Sequence, residues 1–365
     1  MYKQMFAVYL ASTMLVFAAG NTWSDRIQNA AELDRMGRFS EAGEVYSSIV
    51  DEARQLPSSD PRRSEAFNNA GSHAYYTGDF TAADSFYSNA LRAYKDAKED
   101  NKVKLASILA NSAALYKAEA RYAEAEKAAR GAVAVNASAG HAWMNLAEVY
   151  RAEGKLEEAE TAAREGLEIA PATQQDAGMQ TLAGILRQRG RYDDALALYN
   201  RALKSEEERN SASAATTLAN LAEIYMHRAE WSKAEAAASR ALQIWETGGV
   251  RATPNMAATY NNLAQIRKMQ GRYAEAEPLY RKALAAWETA VGKNHPDYAK
   301  GLTNLADFFH ATGNDRAADE LYRRAAEILS ASAGEPDRGL TARRVEVLHA
   351  LGRHTDAQRV ANPLR

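Results

Sequence analysis

A short phrase recurs nine times along this chain and limits what it can fold into: a small residue, a polar residue, an aromatic, two variable positions, then alanine. It reads Gly37-Arg38-Phe39…Ala42, Gly78-Asp79-Phe80…Ala83, Ala120-Arg121-Tyr122…Ala125 and Gly154-Lys155-Leu156…Ala159. It continues as Gly190-Arg191-Tyr192…Ala195, Ala229-Glu230-Trp231…Ala234 and Gly271-Arg272-Tyr273…Ala276. Two weaker copies close the series, Gly313-Asn314-Asp315…Ala318 and Gly352-Arg353-His354…Ala357. Successive copies lie 34 to 42 residues apart. A period of that length marks stacked supersecondary units.

The flanks say what each unit is. Upstream of the phrase, apolar residues recur at helical spacing, as in Trp143, Leu146, Ala147 and Tyr150, or Leu218, Leu221, Ala222 and Tyr225. Downstream, Ala276, Tyr280, Ala283 and Leu284 keep the same period. Each unit therefore reads as helix, tight turn, helix, with glycine at the turn supplying a left-handed cap. Seven residues before the turn stands a small residue: Ala30, Gly71, Ala113, Ala147, Ala183, Ala222, Ala264 or Ala306. Facing the alanine five after the turn, it lets the paired helices cross closely. The chain holds 77 alanines, about a fifth of its 365 residues, which suits close helix contacts throughout. Neither helix buries its apolar stripe alone, so the units must stack.

The residues quoted resemble tetratricopeptide (TPR) repeats, and the unit from Trp143 to Pro171 matches that pattern at nearly every position. Copies spaced by about 42 residues resemble the kinesin-light-chain type, most clearly Tyr260–Tyr280 followed by His295-Pro296-Asp297. The resemblance spans residues 23–357. It implies an all-α, right-handed superhelical α-solenoid over 21–365, with eight repeats and a degenerate C-terminal capping unit. Eight extra residues in the long copies are expected to add about two turns to their second helices. Some positions depart from the pattern. Asn29 stands where a core leucine is usual, Asp315 and His354 replace the turn aromatic, Arg344 takes a core position, and Arg267 replaces a first-helix aromatic. The tryptophans Trp245 and Trp287 are expected to pack under the longer loops.

Residues 1–20 read differently. A positive start at Lys3, an apolar run from Met5 to Ala19 and small residues at Ala18, Ala19 and Gly20 have the build of a secretory signal peptide. The run of about fifteen residues is short of the roughly twenty that span a bilayer. The expected home is periplasmic or extracellular. The alternative is an uncleaved N-terminal anchor tethering a sensory or regulatory component to the membrane. N-terminal sequencing separates the two: release gives a start near Ala19 or Asn21, a tether keeps Met1.

Catalysis finds no support in the sequence. With no cysteine, disulfides, thiolate chemistry, cysteine-based zinc sites and lipid attachment through cysteine are excluded. No phosphate loop, dinucleotide fingerprint, zinc-protease motif, nucleophile elbow or EF-hand loop occurs. The seven histidines lack metal-ligand spacing, so no cofactor or metal is expected. Lys and Arg total 45 against 47 Asp and Glu, a formal net of −2, which disfavours general nucleic-acid binding.

Binding is the remaining role. The resemblance implies that first helices line a concave, partner-binding surface. Helical angles place Asn261, Gln265, Met269 and Asn262 on that side of one unit, with Lys268 at its edge. Nine residues before the turn, asparagine recurs in six units: Asn69, Asn111, Asn145, Asn220, Asn262 and Asn304. An asparagine amide both donates and accepts on a short arm, so such a ladder can grip the backbone of an extended peptide. The same residues could instead tie adjacent first helices together. Tyr75, Tyr76, Arg151, Arg187 and Lys268 are the neighbouring candidates for setting specificity. The expected function is a non-catalytic scaffold for another protein or peptide.

Overall fold

The computed structural model describes residues 22–35, 38–209, 211–249, 252–333 and 337–361. The expected signal segment, 1–20, lies outside the described residues. Regular structure among them is helical throughout. In chain order the helices are α1 (Trp23–Arg35), α2 (Phe39–Gln55), α3 (Arg62–Thr77), α4 (Phe80–Asp96), α5 (Lys102–Ala118) and α6 (Tyr122–Val135). They continue as α7 (Gly140–Ala152), α8 (Leu156–Ile169), α9 (Gln175–Gln188), α10 (Tyr192–Glu208), α11 (Ala214–His227) and α12 (Trp231–Thr247). The last six are α13 (Pro254–Met269), α14 (Tyr273–Val291), α15 (Pro296–Ala311), α16 (Asp315–Ala333), α17 (Arg338–Ala350) and α18 (His354–Ala361). None is long and apolar enough to cross a membrane.

The helices form two compact units, one ending at Arg189 and one beginning at Gly190. Within each unit every helix packs on the next, and first helices also touch the first helices of neighbouring hairpins: α1 on α3, α5 on α7, α11 on α13. In the second unit a contiguous core runs from Ala215 through Trp245, Tyr280 and Trp287 to Val347. In the first, Ile27, Tyr46, Ile49, Phe67 and Ile108 share one cluster. This is an all-α solenoid built hairpin by hairpin.

The recurring phrase has a physical cause at each of its positions. Every described turn residue takes a left-handed conformation, from φ 55° at Ala229 to φ 83° at Gly78. The amide of the following residue donates back to the first helix: Arg121 to the Tyr116 carbonyl at 2.8 Å, Lys155 to Tyr150 at 2.9 Å, Arg353 to Leu348 at 2.8 Å. This is the hydrogen-bonded cap that closes a helix on a left-handed residue. Eight of the nine closing alanines, Ala42 through Ala318, are 0% exposed, and Ala357 is 1% exposed. Ala30, Ala113, Ala147, Ala183, Ala222, Ala264 and Ala306 opposite them are also fully covered. Where glycine replaces a side chain, an aromatic has moved in. A Cβ on Gly71 would lie 2.6 Å from the Tyr87 ring, and one on Gly301 2.6 Å from Trp287.

Two expectations need adjusting. The extra length of the long copies is shared rather than confined to second helices. α14 has 19 residues against 14 in α8, about one added turn. The next first helix, α15, has 16 against 13 in α7 and takes up the rest. Asn29, at a position read as core, is exposed in α1. That helix has no described hairpin before it to cover that face.

The other departures are explained by polar substitution across the turn. In α3 and α4, Tyr75 stacks on Phe80 with centroids 5.8 Å apart. At the same two positions His310 Nδ1 meets Asp315 Oδ1 at 2.6 Å, and His349 Nδ1 meets His354 Nδ1 at 2.9 Å. At the first a hydrogen bond stands in for the ring contact; at the second it joins two rings that still touch, with centroids 5.2 Å apart. Arg344 donates to Asp319, a buried carboxylate, at 2.7 Å.

Ala120 and Ala229 hold left-handed turns at φ 57° and 55° without glycine's freedom. A side chain there costs roughly 1–2 kcal/mol, partly offset by glycine's larger unfolded entropy. Ala120→Gly and Ala229→Gly are therefore expected to stabilise the chain by roughly 0.5–1 kcal/mol each. Urea denaturation followed by circular dichroism checks this; a loss of stability in both variants contradicts it.

Candidate binding surface

Two hollows open on the first-helix faces, one in each unit, and they share a register. The hollow in the first unit, about 500 Å³, is lined by Ala31, Asp34, Phe39, Tyr46, Asn69, Ser72 and Tyr76. The second, about 300 Å³, is lined by Glu223, Met226, His227, Trp231, Asn262 and Gln265. Each takes residues six and three before one turn, the large side chain two after it, and residues nine and six before the next turn. The ladder asparagine is the residue nine before. The two hollows thus share a lining that includes a turn aromatic and an asparagine amide.

All six ladder asparagines are half-buried, but they fall into two groups. Three are committed within the fold. Asn69 Nδ2 donates to the Glu65 carbonyl in its own helix at 2.9 Å. Asn111 Nδ2 reaches Asn68 Oδ1 at 3.1 Å and Ser72 Oγ at 3.3 Å. Asn304 Nδ2 reaches Asn261 Oδ1 at 3.0 Å. Among the described residues, Asn145, Asn220 and Asn262 have no such side-chain partner. Asn261, expected to face the groove, is instead buried at 7% exposure. The angular reading considered its own hairpin alone, and the neighbouring first helix α15 covers it.

Of the flanking candidates, Tyr76 is the most open at 68% exposure, whereas Tyr75 is half-buried against Phe80 and packs on the core. Arg151 donates to Glu148 at 2.7 Å, and Lys117 lies 3.6 Å from the same carboxylate. Arg187 and Lys268 are half-buried. Asp34 of the first hollow meets His73, which does not line it, with Oδ1 2.8 Å from Nδ1. Burial, with Asp34 beside it, pushes the Tyr46 hydroxyl up to about 12. In the second, His227 stacks on Tyr192 with centroids 5.4 Å apart. No group of three His, Asp or Glu able to hold a metal ion occurs among the described residues.

A second set of residues joins the hairpins and was not singled out from the sequence. The residue after the turn is often basic and reaches the acid that follows the closing alanine of the preceding hairpin. Arg121 meets Asp84 at 3.1 Å, Lys155 meets Glu126 at 2.7 Å, Arg272 meets Glu235 at 3.2 Å and Arg353 meets Asp319 at 2.6 Å. Lys155 beside Glu126 holds that carboxyl below its usual range. The Arg121 guanidinium also lies 4.3 Å over the Tyr116 ring, so one side chain packs on its own hairpin and pairs with the last. This network accounts for Arg267. In place of the usual aromatic it pairs with Glu235 at 2.7 Å, and Gln270 reaches the same carboxylate at 2.7 Å. The readable signal was an acid directly after alanine in Ala83-Asp84, Ala125-Glu126, Ala234-Glu235 and Ala318-Asp319.

The model of the family described as "Tetratricopeptide repeat" matches residues 138–204, 175–247 and 255–331, together just over half the chain. No curated protein matches the sequence. Similar solved structures include BtubC (BKLC) from P. vanneervenii, 22% identical, covering 66% of this chain and 95% of that one, with a TM-score of 0.48. The APC/C hetero-tetramer Cut9-Hcn1 is 14% identical over 90% of this chain and 56% of that one, with a TM-score of 0.62. Apo RapI is 14% identical over 93% of this chain and 96% of that one, with a TM-score of 0.61. The last two likenesses bear on the fold, an array of paired helices.

The division of the asparagines has a measurable consequence. Asn304→Ala strands the buried Asn261 amide and is expected to cost about 1–2 kcal/mol, while Asn262→Ala stays within about 0.5 kcal/mol. Urea denaturation of the two variants checks this. Equal costs contradict the division.

Proposed function

Because this chain belongs to the tetratricopeptide repeat family, we propose that it is a non-catalytic protein-interaction scaffold whose first-helix faces hold an extended or helical segment of a partner protein. One observation carries the reading: the same hollow, with an asparagine amide and a turn aromatic, recurs at equivalent junctions in the two units. A hollow that offers the same chemistry in each unit suits a ligand whose own chemistry repeats, and a polypeptide backbone is one. The amides of Asn145, Asn220 and Asn262 are open to bond that backbone, and the hollows take its side chains. Turn aromatics such as Trp231 offer the rigid apolar anchors on which such interfaces depend. Export remains part of the proposal and rests on residues 1–20 alone.

Crosslinking in the native host, then affinity capture with the chain, identifies the segment that is held. The triple variant Asn145→Ala, Asn220→Ala and Asn262→Ala is then compared with the parent on that segment. Each lost backbone bond is worth about 1 kcal/mol, so retention is expected to fall at least about tenfold. Unchanged retention by a triple variant with a normal melting curve counts against the ladder.

A further inference from the structure

We infer that the hollow between α1 and α3 is a subsite for a basic side chain, a lysine or arginine of the bound segment. The inference rests on the groove reading above and adds a chemical preference to it. Three aromatic side chains and one carboxylate meet there: Phe39, Tyr46, Tyr76 and Asp34. Phe39 is 38% exposed and Tyr76 68% exposed, so apolar ring surface stands open to a ligand. Among the described side chains, no lysine or arginine lines the hollow and none pairs with Asp34.

The sign of the charge sets this junction apart within its own unit. Asp34 stands three residues before its turn. The corresponding residues in the later hairpins of the first unit are Tyr75, Lys117, Arg151 and Arg187. Only the first is acidic. Its contacts hold it rather than neutralise it with a guanidinium or ammonium: His73 Nδ1 lies 2.8 Å away, and the Tyr46 ring packs on His73 with centroids 5.2 Å apart. Arg38, directly after that turn, is taken by Glu41 through both carboxylate oxygens.

Desolvation then decides what the hollow selects. Any side chain that enters excludes water from Asp34. An apolar one gains ring contact but brings the carboxylate no partner beyond His73 in place of the lost water. An acidic one adds repulsion. A basic one sets its cation against the ring faces and the carboxylate together, while its methylene stem lies along Phe39 and Tyr76. At about 500 Å³ the hollow has room for a lysine or arginine side chain with its water. The order expected is basic, then apolar, then acidic.

Fluorescein-labelled decapeptides identical except for three central lysines, norleucines or glutamates, titrated against the full chain by anisotropy, test this. The lysine peptide is expected to bind roughly tenfold tighter than the norleucine peptide, and the glutamate peptide weakest. Tyr76→Ala, at an exposed position where the fold is not at stake, is expected to weaken the lysine peptide about fivefold or more and the norleucine peptide by a smaller factor, so that the lysine preference narrows. Asp34→Asn is expected to abolish the preference for lysine over norleucine. Equal binding of the lysine and norleucine peptides, or a lysine preference that survives both variants, overturns the subsite and leaves the groove reading standing. If none of the three peptides binds, both fall.

Discussion

The contact on which the rest depends is the crossing of two helices at a pair of side chains no larger than a methyl group. Ala234 and Ala222, like Ala276 and Ala264, are covered completely, as side chains at a close crossing must be. Larger apolar residues then interlock above and below the crossing. The left-handed turn sets that geometry by reversing the chain in a single residue, and the amide after it bonds back to a carbonyl at the end of the first helix. A hairpin made this way is too thin to shelter its own apolar stripe. It gains a core only from neighbours, which is why the buried cluster of the second unit passes from hairpin to hairpin.

Neighbouring hairpins are held in register by polar contacts as well as apolar ones. Pairs such as Arg121 with Asp84 and Arg272 with Glu235 cross the junctions near the turns. Amide pairs such as Asn111 with Asn68 and Asn304 with Asn261 cross them between first helices. Such contacts fix how one hairpin meets the next, and so fix the shape of the hollow left between them. Binding chemistry and stacking chemistry share one face of the first helix. That is why some ladder asparagines serve the fold while Asn145, Asn220 and Asn262 keep open amides.

What could be read in advance follows from this division. Contacts inside one hairpin are short-range and repeat with the period, so the turn at Gly154, the closing Ala159 and the facing Ala147 were legible from the pattern. Contacts between hairpins depend on how far each rotates against the next, which helical angles within one unit do not contain. Asn261 was placed in the groove for that reason, and the partners of Arg267 went unseen. The hydrogen bonds of His310 with Asp315 and of His349 with His354 join residues five apart across the turn. They were hidden because the position after the turn pairs with one before it, which the phrase alone does not contain.

Substitution by leucine at two neighbouring alanines tests the close crossing most directly. Ala234 is fully buried at the contact, and Ala236 is exposed two residues along the same helix. Ala234→Leu is expected to lower stability by about 1–3 kcal/mol through overpacking, and Ala236→Leu to change it by no more than about 0.5 kcal/mol. Equal, small effects at both would mean the helices do not meet where the alanines place them, and the account of the fold would fail.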